Sequence, residues 1–219
     1  MSRLPPSELS LVHCSDTLLV IDKPSGLLAV PGRGADLQDC VARRAQSGYP
    51  DALVVHRLDM ATSGLMLMAR GATVQRRLSG AFAKREVDKR YVAIVAGLVP
   101  AAPDDGWREI DLPLSADWPA RPRQRVDLGG GKSSVTRYRV LSHCLTARST
   151  RVELLPLTGR THQLRVHMLA LGHPILGDRL YAPLAVQAQA ARLMLHASAI
   201  ALAHPVEGSP MRFECTPPF

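Results

Sequence analysis

The sequence predicts an α+β protein: a mixed, largely antiparallel sheet bent around a central cleft, with helices packed on its outer face. Two observations lead there. Apolar runs with strand periodicity recur along the whole chain, but they do not alternate with helices in the regular way a parallel sheet needs. Only three stretches carry a helical repeat, and the middle of the chain is broken by turn residues at 100–106, Trp118-Pro119 and Gly129-Gly130-Gly131.

Residues 17–21 read as a strand ended by Lys23-Pro24-Ser25-Gly26. Asp36 followed by Leu37, Cys40, Val41 and Ala45 reads as an N-capped helix with one apolar face. Leu53-Val54-Val55 and Leu65-Met66-Leu67-Met68-Ala69 read as two strands joined by a Thr62-Ser63-Gly64 turn. Residues 73–84 are helical in pattern, with Val74, Leu78 and Phe82 four apart, and residues 90–95 alternate as a strand does. Short strands are expected at 123–128, 134–141 and 150–155. Residues 161–171 should form a helix stopped by Gly172 and Pro174, with Leu164, Met168 and Leu171 facing inward and Arg165 on another face. Residues 193–202 read as a late strand and 211–214 as its partner.

Composition narrows the class. With 219 residues, 46% hydrophobic and 21% charged, the chain can bury a sizeable core. No window approaches the length of apolar sequence that crosses a bilayer, and the first ten residues lack the apolar core of a secretion signal, so they read as a flexible lead-in. Cys14, Cys40, Cys144 and Cys215 form no C-x-x-C pair, which suits a reducing cytoplasm better than a zinc or disulfide framework. A net charge of +8 and pI near 9.9 point to a polyanionic partner, nucleic acid above all, with basic clusters at 43–44, 76–77, 84–90, 121–125 and 137–139.

His56-Arg57-Leu58-Asp59-Met60-Ala61-Thr62-Ser63-Gly64 places a carboxylate at a strand end beside an arginine. Read alone, Asp59 fits a turn former as well as a catalytic acid. Gly131-Lys132-Ser133 resembles the end of a phosphate-binding loop, but position 126 is valine where that motif needs glycine. The histidines of the last third (162, 167, 173, 196 and 204) form no H-E-x-x-H pattern, so no metal is expected.

His-Arg-Leu-Asp followed by Thr-Ser-Gly resembles the signature of the RluA family of RNA pseudouridine synthases. Asp22-Lys23-Pro24-Ser25-Gly26-Leu27, Lys89-Arg90-Tyr91-Val92-Ala93 and the run Leu157-Thr158-Gly159-Arg160-Thr161-His162-Gln163-Leu164-Arg165-Val166-His167 resemble further blocks of that family, in its order. The likeness continues through Gly172-His173-Pro174-Ile175-Leu176-Gly177-Asp178 and spans roughly residues 16 to 215. It implies the pseudouridine synthase catalytic fold over residues 11–219 as a single domain, with no S4-type RNA-binding domain in front, and a cytoplasmic monomer. It also implies isomerisation of uridines in structured RNA. For a short member with Asp117-Trp118-Pro119-Ala120-Arg121-Pro122, the implied substrates are 23S rRNA at uridine 746 and the tRNA anticodon stem-loop at uridine 32.

The resemblance assigns roles residue by residue. Asp59 is the carboxylate, either nucleophile or base. Tyr91 stacks on the uracil and moves a proton near C5, and Arg160 is the cation that offsets desolvation of Asp59. Arg57 fills the gap left by a flipped base, with His56, Arg165 and Leu195 as further RNA-binding residues. The isomerisation demands no redox step, so no cofactor is expected. The rival reading is a basic RNA-binding protein that uses the same cleft without chemistry.

Overall fold

The computed structural model describes residues 9–104 and 106–219. The described residues form two compact units, one made of those up to Asp88 together with Ala197–Pro218, the other of those within Lys89–His196 with Phe219. The lead-in expected at residues 1–10 lies, for 1–8, outside the described residues, and Ser10 already opens a strand.

In the first unit β1 (Ser10–Cys14) pairs antiparallel with β2 (Leu18–Lys23). Ala35–Leu37 makes only a 3-10 turn, and α1 (Val41–Gly48) begins later than expected, capped by Cys40 rather than Asp36. The Cys40 Sγ accepts from the Arg43 N–H at 3.4 Å. The helix starts there because its first amides find acceptors: Val41 donates to the Leu28 carbonyl at 2.8 Å and Ala42 to the Ala29 carbonyl at 3.1 Å. β3 (Ala52–Val54) pairs antiparallel with β4 (Ser63–Arg70), Val54 lying opposite Met68. Their connection is therefore a loop over 55–62, not the three-residue turn expected; Ser63 and Gly64 are already strand, with Gly64 opposite Lys23 of β2. Paired with β2 along most of its length and with β3 at Met68, Ala69 and Arg70, β4 is buried from Ser63 to Ala69, in keeping with its unbroken apolar run. The helix α2 (Ala72–Lys84) sets Val74 and Leu78 into a core with Leu18, Val20, Leu65, Leu67 and Ala69, and Phe82 packs against it.

The second unit contains β5 (Asp88–Ala96), β6 (Arg108–Asp111), β7 (Leu114–Ala116), β8 (Gln124–Val126), β9 (Val135–Cys144) and β10 (Ser149–Pro156). Strands β5, β10, β9 and β6 lie side by side in that order, all antiparallel, while β7 and β8 form a separate hairpin. Two helices follow, α3 (Gln163–Ala170) and α4 (Leu184–Gln187). Every residue of α3 from Gln163 to Met168 is buried, so Arg165 has no outward face to occupy, contrary to expectation. β11 (Leu195–Ala203) starts in the second unit and continues into the first, where β12 (Pro210–Glu214) pairs with Ala199–Ala203. No helix of the described residues is long and apolar enough to cross a membrane.

Gly64 has φ +104, and a Cβ there would lie 2.3 Å from the Ala197 carbonyl oxygen, whereas Gly208, at φ +77, faces open space. Gly64→Ala should therefore lower unfolding free energy by about 3 kcal/mol or more, and Gly208→Ala by about 1 kcal/mol. Urea denaturation checks this; equal losses at both positions would contradict the close approach.

Candidate active site

Asp59 is half-buried in the 55–62 loop, between the buried Leu58 and the exposed Met60. The loop is fastened from outside itself. Lys23, fully buried at the end of β2, points its Nζ at the carbonyls of Pro24 (2.9 Å), Leu27 (2.8 Å) and Met60 (3.0 Å). The Met60 carbonyl also accepts from the Gly26 N–H at 2.8 Å, the Ala61 carbonyl from the Ser25 hydroxyl at 2.7 Å, and the Asp59 carbonyl from the Thr62 N–H at 3.1 Å. A lysine without water must have its donors met, and only the ammonium can serve three acceptors at once. The Asp-Lys-Pro-Ser-Gly turn and the Asp59 loop are thus one hydrogen-bonded piece.

His56 is part of the same support. Its Nε2 accepts from the Leu67 N–H at 2.8 Å and its ring stacks on Phe82, centroids 4.5 Å apart. Those contacts tie the start of the loop to β4 and α2. Arg57 is exposed.

In the second unit Tyr91 is half-buried on β5, opposite Leu154 of β10. Arg160 precedes α3. It is exposed, and its Nε donates to the Ser133 carbonyl at 3.3 Å. Its backbone N–H donates to the Gln163 side-chain oxygen at 3.0 Å, which also accepts from the Thr158 hydroxyl at 2.7 Å. Next to it His162 adopts the left-handed conformation, φ 54, uncommon for a residue with a side chain. Its Nδ1 lies 2.7 Å from the Tyr181 hydroxyl, which accepts from the Gln124 N–H at 2.8 Å.

Two expected RNA-binding residues are core instead. Arg165 is 4% exposed and makes a two-pronged pair with Asp178, Nε to Oδ2 at 2.8 Å and Nη2 to Oδ1 at 2.6 Å. Reaching a phosphate would mean breaking a buried pair, typically at about 3–5 kcal/mol. Leu195 is buried at the start of β11. The other late histidines have protein partners: His167 with Thr136 and Leu112, His173 with the Ala96 carbonyl, His204 with Thr17.

Residues 17–170 match the family model for RNA pseudouridylate synthase. The chain is 50% identical over 92% of its length to the dual-specificity RNA pseudouridine synthase RluA of Yersinia pestis, covering 96% of that protein. It is 48% identical over 98% to the protein of the same name from Escherichia coli strain K12, covering 97%. The chain belongs to the RluA family of RNA pseudouridine synthases. Solved structures agree with the fold of this family. Human RNA pseudouridylate synthase domain containing 1 superposes with a TM-score of 0.81 at 28% identity, covering all of this chain and 87% of that one. Human RNA pseudouridylate synthase domain containing 4 does so at 0.74 and 27%, covering 95% and 88%.

What sequence reading missed in this family member is the support: Lys23, Asp178 and Tyr181. Lys23-Pro24 at a strand end was a visible signal, but burial of the ammonium depends on a loop far along the chain. Lys23→Met should release the Met60 and Leu27 carbonyls, cost about 3 kcal/mol or more in urea denaturation, and reduce turnover further than the unfolded fraction explains. Turnover that tracks the folded fraction alone would contradict this role.

His167 supplies a pH signature. Burial holds its imidazole below the usual value, against weaker raising effects of the Leu112 carbonyl and the Asp111 charge. Its Nε2 faces the Leu112 carbonyl at 3.0 Å and its Nδ1 the Thr136 hydroxyl at 2.9 Å, which suits the neutral ring. With the folded value depressed, the stabilisation is complete above the unfolded value of about 6.5 and is lost as pH falls through the folded one. Thermal melts between about pH 7 and 5 should show a shallower acid-side loss for His167→Gln than for wild type; parallel curves would contradict the assignment.

Proposed function

We propose that this chain converts uridine to pseudouridine in structured RNA, at uridine 746 of 23S rRNA and uridine 32 of tRNA, in the cytoplasm and as a monomer. The observation that carries the reading is the pinned loop that holds Asp59 half-buried within a chain alike, over nearly its whole length, to dual-specificity synthases. The reaction breaks the bond from ribose C1′ to N1, turns the uracil and joins C5 to C1′. C5 gives up a proton and N1 gains one, so atoms balance without a co-reactant.

Asp59 serves as nucleophile toward the ribose or as base. A carboxylate fixed by its backbone meets its target without first losing loop entropy, the advantage that positioning gives. Tyr91 offers a ring face to uracil and a hydroxyl for proton exchange near C5. Arg160, being exposed, acts on RNA charge, and Arg57 fills the space a flipped uridine leaves. Net charge +8 favours the phosphate backbone.

The test is tritium release from RNA labelled at uracil C5, offered as an anticodon stem-loop and as the rRNA loop. Wild type should release tritium from both, and Asp59→Asn should bind each RNA within a few fold of wild type but release at least about 1000-fold more slowly. Binding without release by wild type would replace this reading with a non-catalytic RNA-binding protein.

A further inference from the structure

Trp118 sits at the tip of the β7–β8 hairpin and is 68% exposed, although the chain has only two tryptophans and the indole is costly to leave in water. The Arg121 guanidinium lies over its ring, 4.1 Å from the centroid, covering one face. The tip between the two strands carries Arg121 and Arg123 against one acid, Asp117, and Arg125 follows in β8 close to Asp127. A flat aromatic surface flanked by arginines is the combination that stacks an unpaired nucleobase while tracking its phosphates.

The tip is held in shape. Asp117 N–H donates to the Arg123 carbonyl at 3.0 Å, Ala120 N–H to the Asp117 carbonyl at 3.1 Å, and Arg123 N–H to the Ala120 carbonyl at 3.0 Å. At its base the Tyr181 hydroxyl bonds both Gln124 of β8 and His162, two residues after Arg160, and Arg123 lies over the Tyr181 ring at 5.4 Å. The hairpin and the Arg160 segment are thereby joined through one phenol. A preformed platform loses little entropy when a base stacks on it.

We infer that Trp118 and Arg121 form a stacking platform for an unpaired nucleotide of the RNA substrate, distinct from the uridine that is isomerised. This rests on the proposed action on RNA, and it commits the tip to nucleic acid because its charge is cationic. A protein partner would be an outcome of the test rather than its premise. The platform gives a physical route to recognising loop RNA rather than duplex, since only an unpaired base exposes both faces for stacking.

The experiment measures binding of the full chain to a fluorescent anticodon stem-loop, with Trp118→Ala, Trp118→Phe, and Leu145→Ala as a control exposed in a distant turn of the same unit. Trp118→Ala should weaken binding by about 5- to 100-fold, Trp118→Phe by no more than about 3-fold, and Leu145→Ala not at all. In steady-state assays the loss should raise KM rather than lower kcat. A Trp107→Phe protein, in which Trp118 is the sole indole, should show fluorescence quenching as RNA is added, which tests the platform even if Trp118→Ala fails to fold. Trp118→Ala binding within twofold of wild type, or no quenching, overturns the inference. Tritium release by wild type is scored separately: its failure removes the catalytic reading, while the Trp118 comparison still decides the platform.

Discussion

An ammonium group with no access to water holds the loop that presents Asp59. Lys23 contributes to β2 through its backbone and to the Asp59 loop through its side chain, whose Nζ reaches the Met60 carbonyl. Burying a lysine is costly, and the cost is offset only when all three donors find acceptors; the geometry that stabilises the charge is also the geometry that holds the backbone next to Asp59. The hydroxyl of Ser25 and the amide of Gly26 add bonds to the same loop. The backbone around Asp59 is therefore held at its neighbours, through the Met60 and Ala61 carbonyls.

The second unit uses the same approach with different groups. Asp178 receives the Arg165 fork and the amides of Leu180 and Tyr181, which places the Tyr181 phenol beside His162. Gln163 fastens the Arg160 backbone to Thr158. Arg160 is exposed, but the segment that carries it is anchored by buried polar bonds, and such networks favour one arrangement because every alternative strands a donor or acceptor.

Much of this was legible in the sequence where the signal is local. The unbroken apolar run of β4, the four-residue spacing of α2 and the paired late strands declared themselves because periodicity records burial within one element. The start of α1 did not: its first amides bond the Leu28 and Ala29 carbonyls, a tertiary fact no cap residue announces. Likewise Asp59 stood out as an acid at a strand end, whereas the length of its loop depended on Ser63 and Gly64 joining β4. Short strands such as β6 and β7 hold too few residues to show a period. Charge read by composition overstated what is free for RNA, since Arg44, Arg70, Arg90, Arg137, Arg139 and Arg165 are ion-paired with Asp39, Asp51, Glu153, Glu109, Glu153 and Asp178. Arg57, Arg121, Arg123, Arg125 and Arg160 are among the arginines that stay exposed.

The most direct test of the fastened loop is native-state amide exchange at Gly26 and Thr62, the two N–H groups that bond the Met60 and Asp59 carbonyls. If the loop is held as described, both amides should exchange only through large-scale unfolding, with protection close to that of β4. Exchange at the rate of an exposed turn, while β4 stays protected, would mean that the loop opens on its own and that Lys23 does not hold Asp59 in place.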